Sequence, residues 1–154
     1  MKRYLGIAVV TLTLVLGFPA AALAQSGHFV GKQTCTDTGT TATCSGKVAG
    51  LGGTTFEITV KAKGVATVEC TNPGGHVAPG QTFTTKTTGT TDPLSTPRNG
   101  QYRYTLETDT PTAPADSCPN TKWTAAVTDV EFTDATLTLL EDGVVRDTVT
   151  VPVA

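Results

Sequence analysis

The residues of this chain that could do chemistry are two histidines, four cysteines and a scatter of carboxylates. A hydrolase needs a nucleophile held against a base, most often histidine. His28 and His76 are the candidates, and neither sits in a nucleophile-elbow or zincin pattern. His76 lies in Asn72-Pro-Gly-Gly-His-Val-Ala-Pro-Gly80. Adjacent glycines there let the backbone turn tightly or approach a ligand closely. The segment reads as a loop that closes one end of a β-fold. Its functional alternative is a recognition loop of Asn72, Gly74, Gly75 and His76. His28 offers different chemistry. A chain starting at Ser26 would present an amine, two amides and an imidazole to Cu²⁺ in a square plane. The processing signal described below argues against that start. Asp129, Glu131 and Asp134 lie within six residues, and Glu141 and Asp142 are adjacent, but neither group has an EF-hand pattern. Both groups read as solvated surface, and nothing singles out a carboxylate pair for glycoside hydrolysis. The sequence therefore predicts no catalytic set, no metal site and no cofactor.

The cysteines say more. Met1-Lys-Arg opens the chain, an apolar run of 15 residues follows from Tyr4 to Phe18, and Ala22-Leu-Ala24 supplies small residues for a peptidase. These are the three parts of a secretory signal peptide, with cleavage expected after Ala24. The expected mature chain is residues 25–154, one domain, with nine basic and thirteen acidic residues and a net charge of about −4. No basic stripe suits nucleic acid or an anionic membrane. All four cysteines fall in the exported part, where an even number reads as disulfides. Cys35 and Cys44 flank a segment with Gly39 near its middle; if that segment is a hairpin, the two lie on facing strands and can bridge. Cys70 ends an alternating strand, and Cys118 precedes the strand carrying Trp123. The expected bridges are Cys35–Cys44 and Cys70–Cys118.

These residues need a scaffold, and threonine points to its type. The part after Ala24 holds 31 threonines, β-branched residues that favour strands. Period-two alternation is clearest in Phe56–Lys63, with Phe56, Ile58, Val60 and Ala62 on one face. Gly64 permits a turn or bulge, and Ala66, Val68 and Cys70 resume the pattern. Gln101–Thr108 alternates with Tyr102, Tyr104 and Leu106 inward. Trp123, Ala125 and Val127 alternate, then the phase slips to Val130 and Phe132, which suggests a bulge near Thr128-Asp129. Ala135, Leu137 and Leu139 share a face, as do Val145, Val149 and Val151. A three-residue loop, Glu141-Asp142-Gly143, pairs Leu139 with Val145 and Ala135 with Val149, keeping both apolar sets on one face. Weaker strands run over 28–35, 42–49 and 81–88. Segments 71–80, 89–100 and 110–120 are rich in Pro, Gly, Asn and Asp and read as loops. Eight or nine short strands without a helix predict an antiparallel β-sandwich of Ig-like proportions, with a small barrel as the alternative.

Cys70-Thr-Asn-Pro-Gly-Gly-His-Val-Ala-Pro-Gly-Gln81 followed by Cys118-Pro-Asn-Thr-Lys-Trp123 resembles a pattern in small secreted bacterial proteins of unknown function. The resemblance implies one exported domain and supports the Cys70–Cys118 pairing; it attaches no activity. Three roles remain. The first is a secreted non-catalytic sandwich that binds an extracellular protein or glycan, or serves at the surface. The second is a carbohydrate-binding or adhesive module, which needs an exposed aromatic face; Trp123, Tyr102 and Tyr104 fall in phase with apolar neighbours and read as core instead. The third is a small secreted enzyme or inhibitor acting through loops 71–80 or 89–100. A cleft joining His76 to a carboxylate would mark the enzyme, and a protruding rigid loop the inhibitor.

Overall fold

Alternation dominates the chain, and every regular element of the computed structural model is a strand. The structure describes residues 26–154; the expected signal peptide, residues 1–24, lies outside them. The strands are β1 (His28–Asp37), β2 (Ala42–Ala49), β3 (Thr55–Thr71), β4 (Val77–Pro79), β5 (Phe83–Thr90), β6 (Leu94–Ser95), β7 (Tyr102–Glu107), β8 (Thr124–Glu141) and β9 (Val144–Pro152). A three-stranded sheet has the order β1-β2-β7. The larger sheet is built on β3, which pairs with β4, β5 and β6 along one side and with β8 along the other; β9 follows β8. All pairings are antiparallel apart from one isolated bridge.

The two sheets pack as a β-sandwich. Cys44, Val48 and Tyr104 from the small sheet meet Ile58, Val60, Ala62, Leu137 and Leu139 from the large one in a single core cluster. Tyr104 stacks edge-on against Phe29 at 6.0 Å, and Tyr102 against Phe56 at 5.1 Å. The sandwich edges are joined by only a few bonds. Ala154 N donates to the Cys35 carbonyl at 3.1 Å on one side, and Asp109 N to the Thr88 carbonyl at 3.0 Å on the other. The sheets therefore stay separate and do not close into a barrel.

Of the turn or bulge expected at Gly64, the structure has the bulge: the register of β3 against β8 shifts between Lys63 and Gly64, and β3 runs on to Thr71. A Cβ at Gly64 would stand 2.6 Å from the Glu131 carbonyl oxygen, so glycine is what lets the two backbones approach there. β8 skips partners at Thr128 and Thr133. The first skip is the bulge expected from the phase slip. The segments expected as loops at 71–80 and 89–100 each hold a short strand, β4 and β6, laid on the exposed side of β3.

The closing hairpin corrects the expected register. Glu141 pairs with Val144 and Leu140 with Val145 around a two-residue turn. Asp142 at φ 48° and Gly143 at φ 77° have the two positive φ values that a type I′ turn requires. The apolar faces are then brought back into line by Arg146, which has no partner, so that Leu139 faces Asp147, Leu137 faces Val149 and Ala135 faces Val151. A bulge in the strand does what the three-residue loop was expected to do. It also leaves Val144 and Val145 exposed.

Candidate functional site

Both disulfides have the expected connectivity. Cys35 and Cys44 face each other directly across β1 and β2, with Cα atoms 4.0 Å apart. Cys70 and Cys118 link the end of β3 to the strandless segment before β8, with Cα atoms 5.7 Å apart. Two bridges fit an oxidising compartment. Among the described residues no helix is long and apolar enough to cross a membrane.

The Cys70–Cys118 bridge organises one end of the sandwich. Gly80 N donates to the Val68 carbonyl at 2.7 Å, and Gln81 N to the Ser117 carbonyl at 2.9 Å. A Cβ on Gly80 would lie 2.8 Å from Val68 Cγ1 and 2.9 Å from Cys70 Sγ, so this close crossing needs glycine. Beyond it, Asn120 Oδ1 accepts from Lys122 N at 3.0 Å and the Asn120 carbonyl accepts from Trp123 N at 3.1 Å, which shapes the turn into β8. Between these two strips lies an open pocket of about 730 Å³. Gln81, Asp116, Ser117, Asn120 and Thr121 line it with polar groups, and Pro79 and Pro119 with apolar ones. No lysine, arginine or histidine lines it.

The expected recognition loop lies beside this pocket, not in it. Asn72 to His76 is the tip of the β3–β4 hairpin. Asn72 Oδ1 accepts from Gly74 N and from His76 N, each at 2.9 Å, and Asn72 N donates to the His76 carbonyl at 3.0 Å. Asn72 is an internal brace, Gly75 supplies the positive φ of 82°, and His76 is exposed. His76 lines neither of the two large pockets. Trp123 is half-buried and stands apart from the main core cluster, where the sequence placed it. No aromatic side chain among the described residues is exposed.

The acidic residues divide. Asp129 and Glu131 are exposed as expected, and Asp134 pairs with Lys63 at 3.5 Å. Glu141 is the correction: it is not solvated surface but 1% exposed. Its Oε1 accepts from Gly52 N at 2.7 Å and Gly53 N at 3.1 Å, its Oε2 from Gly27 N at 3.0 Å, and Arg146 Nε lies 3.4 Å away. Asp142 accepts from the amides of Thr54 and Thr55. These two carboxylates tie the N-terminal segment and the loop before β3 to the closing hairpin. The amide of Gly27 is engaged in this way, so it is not free to ligate copper in the Ser26-Gly27-His28 arrangement. Among the described residues no three His, Cys, Asp or Glu side chains come together as a metal cluster.

Desolvation pushes the Glu141 carboxyl up, but the amides of Gly52, Gly27 and Gly53 and then Arg146 outweigh it, and its pKa lies below the ordinary 4.5. Asp142 is held below its ordinary 3.8, chiefly by the Thr55 and Thr54 amides. A carboxyl with a depressed folded pKa binds protons more readily in the unfolded chain. Its stabilisation is complete above pH 4.5 and disappears as pH falls through the folded value. The urea midpoint is expected to fall from pH 6 to pH 3, with a flatter profile in Glu141→Gln. An equally steep profile in that variant would assign the acid loss to other groups.

The sequence matches no protein-family model and no curated protein. Solved structures resemble the chain only weakly, two from Bacteroides species among them. One is the Bacteroides uniformis beta-glucuronidase, with a TM-score of 0.35, 15% identity and coverage of 81% of this chain and 14% of that one. The other is a putative beta-galactosidase from Bacteroides fragilis, with a TM-score of 0.32, 15% identity and coverage of 82% of this chain and 17% of that one. The chain thus spans less than a fifth of the length of either structure.

Proposed function

We propose that this protein is a secreted, non-catalytic binding module whose ligand sits in the pocket held by the Cys70–Cys118 bridge. The pocket carries the reading. It falls in the size range of small-molecule sites, and its walls combine two carboxamides, hydroxyls and one carboxylate with proline edges. Carboxamides and carboxylates hydrogen-bond neighbouring hydroxyls well. With Asp116 present and no cation on the walls, a neutral, hydroxyl-rich ligand such as a saccharide fits better than an anion. Recognition would rest on hydrogen bonds, since no exposed aromatic among the described residues offers a stacking platform. The two histidines are exposed, and His76 is not joined to a carboxylate across a cleft, which supports binding over catalysis.

The test is a screen of neutral oligosaccharides by glycan array, followed by titration calorimetry. Gln81→Ala and Asp116→Ala, both at exposed positions, are expected to weaken binding about fivefold to tenfold each, the loss of roughly one hydrogen bond, without lowering the melting temperature. Absence of any saccharide ligand, or variants that bind like the parent, would overturn the reading. A second reading, a protein partner gripped by the β3–β4 hairpin, is favoured by one observation: the tip is braced by Asn72 yet exposed from Pro73 to Val77. Val77→Asp should abolish capture of such a partner and leave saccharide binding unchanged.

A further inference from the structure

β1 and β9 are the neighbouring edges of the two sheets, and they meet at two places. Phe29 N donates to Asp147 Oδ2 at 2.8 Å near the start of both strands. Cys35 and Val153 form a parallel bridge near their ends. Between these contacts β1 leaves its register. Val30 faces Lys47 and Thr34 faces Ser45, so Gly31, Lys32 and Gln33 stand against Gly46 alone. Gly31 makes this excursion at φ 71°. It opens a groove of about 510 Å³ between the two edges, walled by Val149, Val151 and Pro152 on one side and by Thr34 and Cys35 on the other.

Two features define what could occupy it. The first is an apolar interior. Gln33 lines the groove and is buried, but its amide is fully engaged elsewhere. Nε2 donates to the Val30 and Gly31 carbonyls at 3.0 and 3.1 Å, and Oε1 accepts from Tyr104 Oη at 2.7 Å and Lys47 N at 3.2 Å. A ligand reaching Gln33 meets a side chain with no free polar group. The second feature is Lys32, the only charged side chain lining the groove, which Ala154 also lines. It is exposed and makes no ion pair among the described residues. The contacts at both ends exclude an added β-strand running through. The open stretch from Val30 to Thr34 advances only the two residue steps from Lys47 to Ser45, about 7 Å.

We propose that this groove binds a single-chain amphiphile, with an aliphatic body against Val149 and Val151 and a carboxylate head at Lys32. Burial of the chain supplies the affinity, and the ammonium supplies the preference for an anionic head. The site is separate from the pocket beside Cys118, so the two readings stand or fall independently.

The experiment titrates the protein, with both disulfides intact, with decanoate and with decanol below their aggregation limits, by calorimetry. Saturable binding of decanoate at one site is expected. Lys32→Ala, at an exposed position, should weaken decanoate at least fivefold and leave decanol unchanged. Thr34→Trp, also exposed, should fill the mouth and remove both. Urea midpoints close to the parent's will show that both variants fold. No saturable decanoate binding overturns the proposal, and so does equal binding of both ligands before and after Lys32→Ala. Binding unchanged in a folded Thr34→Trp places the ligand elsewhere and overturns it too.

Discussion

Glu141→Ala is expected to destabilise the protein by about 3 kcal/mol, a large loss for a residue next to a surface turn. A buried unsatisfied hydrogen-bonding group costs about 1–3 kcal/mol, and this substitution deprives three amides of their acceptor. Gly27 is buried, so its amide has no ready replacement; Gly52 is exposed and can turn to water, which holds the total near the lower end of the sum. Arg146 also loses its partner, though its exposed side chain needs only to swing into solvent. Glu141→Gln keeps an acceptor and should lose about half as much. The damage should be local before it is global. Amide exchange should quicken first at Gly27–Phe29 and at Gly52–Thr55, the two segments the carboxylates hold. Equilibrium urea unfolding gives the magnitude and hydrogen exchange gives the place. A loss under 1 kcal/mol, or exchange that quickens uniformly, would count against the clamp.

Why the sequence hid this residue is instructive. Period-two alternation marks Phe56, Ile58, Val60, Leu137 and Leu139 as core from local information, because in a strand the neighbour two residues away shares the face. The same logic gave the Cys35–Cys44 pairing, since a hairpin places its flanking residues opposite each other. Glu141 is different. Its burial depends on amides 114, 89 and 88 residues away, and beside Asp142-Gly143 a glutamate reads as part of a solvated turn. The hairpin register failed for a related reason. Keeping the apolar sets on one buried face calls for a three-residue loop if the strand is regular, but an unpaired Arg146 achieves the same shift after a two-residue turn, and nothing in its own type announces a bulge. Gly31 did carry a signal. A glycine inside a strand pattern suggests a bulge, and the excursion that opens the groove between β1 and β9 begins there. The pocket beside Cys118 was half legible. The bridge and the proline- and asparagine-rich segments were visible, but the hairpin drew attention to His76, whereas Gln81 and Asp116 line the space.

Removing the Cys70–Cys118 bridge as Cys70→Ala/Cys118→Ala is the second large effect, expected at about 4 kcal/mol. On the chain-entropy model a loop of 48 residues restrains the unfolded chain by about that amount, against about 3 kcal/mol for the 9-residue separation of Cys35 and Cys44. The native state widens the difference. Cys35 and Cys44 sit within a paired ladder that continues on both sides of them. Cys118 lies in a segment with no strand of its own between Glu107 and Thr124, tied to β3 and its continuation by this bridge and the Gln81–Ser117 hydrogen bond. Alanine is the right replacement at Cys70, which is fully buried, because serine would add an unsatisfied hydroxyl. The melting temperature should drop by roughly 15 °C, and by less in the corresponding Cys35/Cys44 double variant. Binding at the end pocket should fail at temperatures where the sheets remain folded, because the strip carrying Asp116 and Asn120 is freed from the strip carrying Gln81. Loss of binding with intact strand circular dichroism would tie the pocket to the bridge. A drop below 5 °C, or binding that survives it, would show that the segment holds its shape through packing alone.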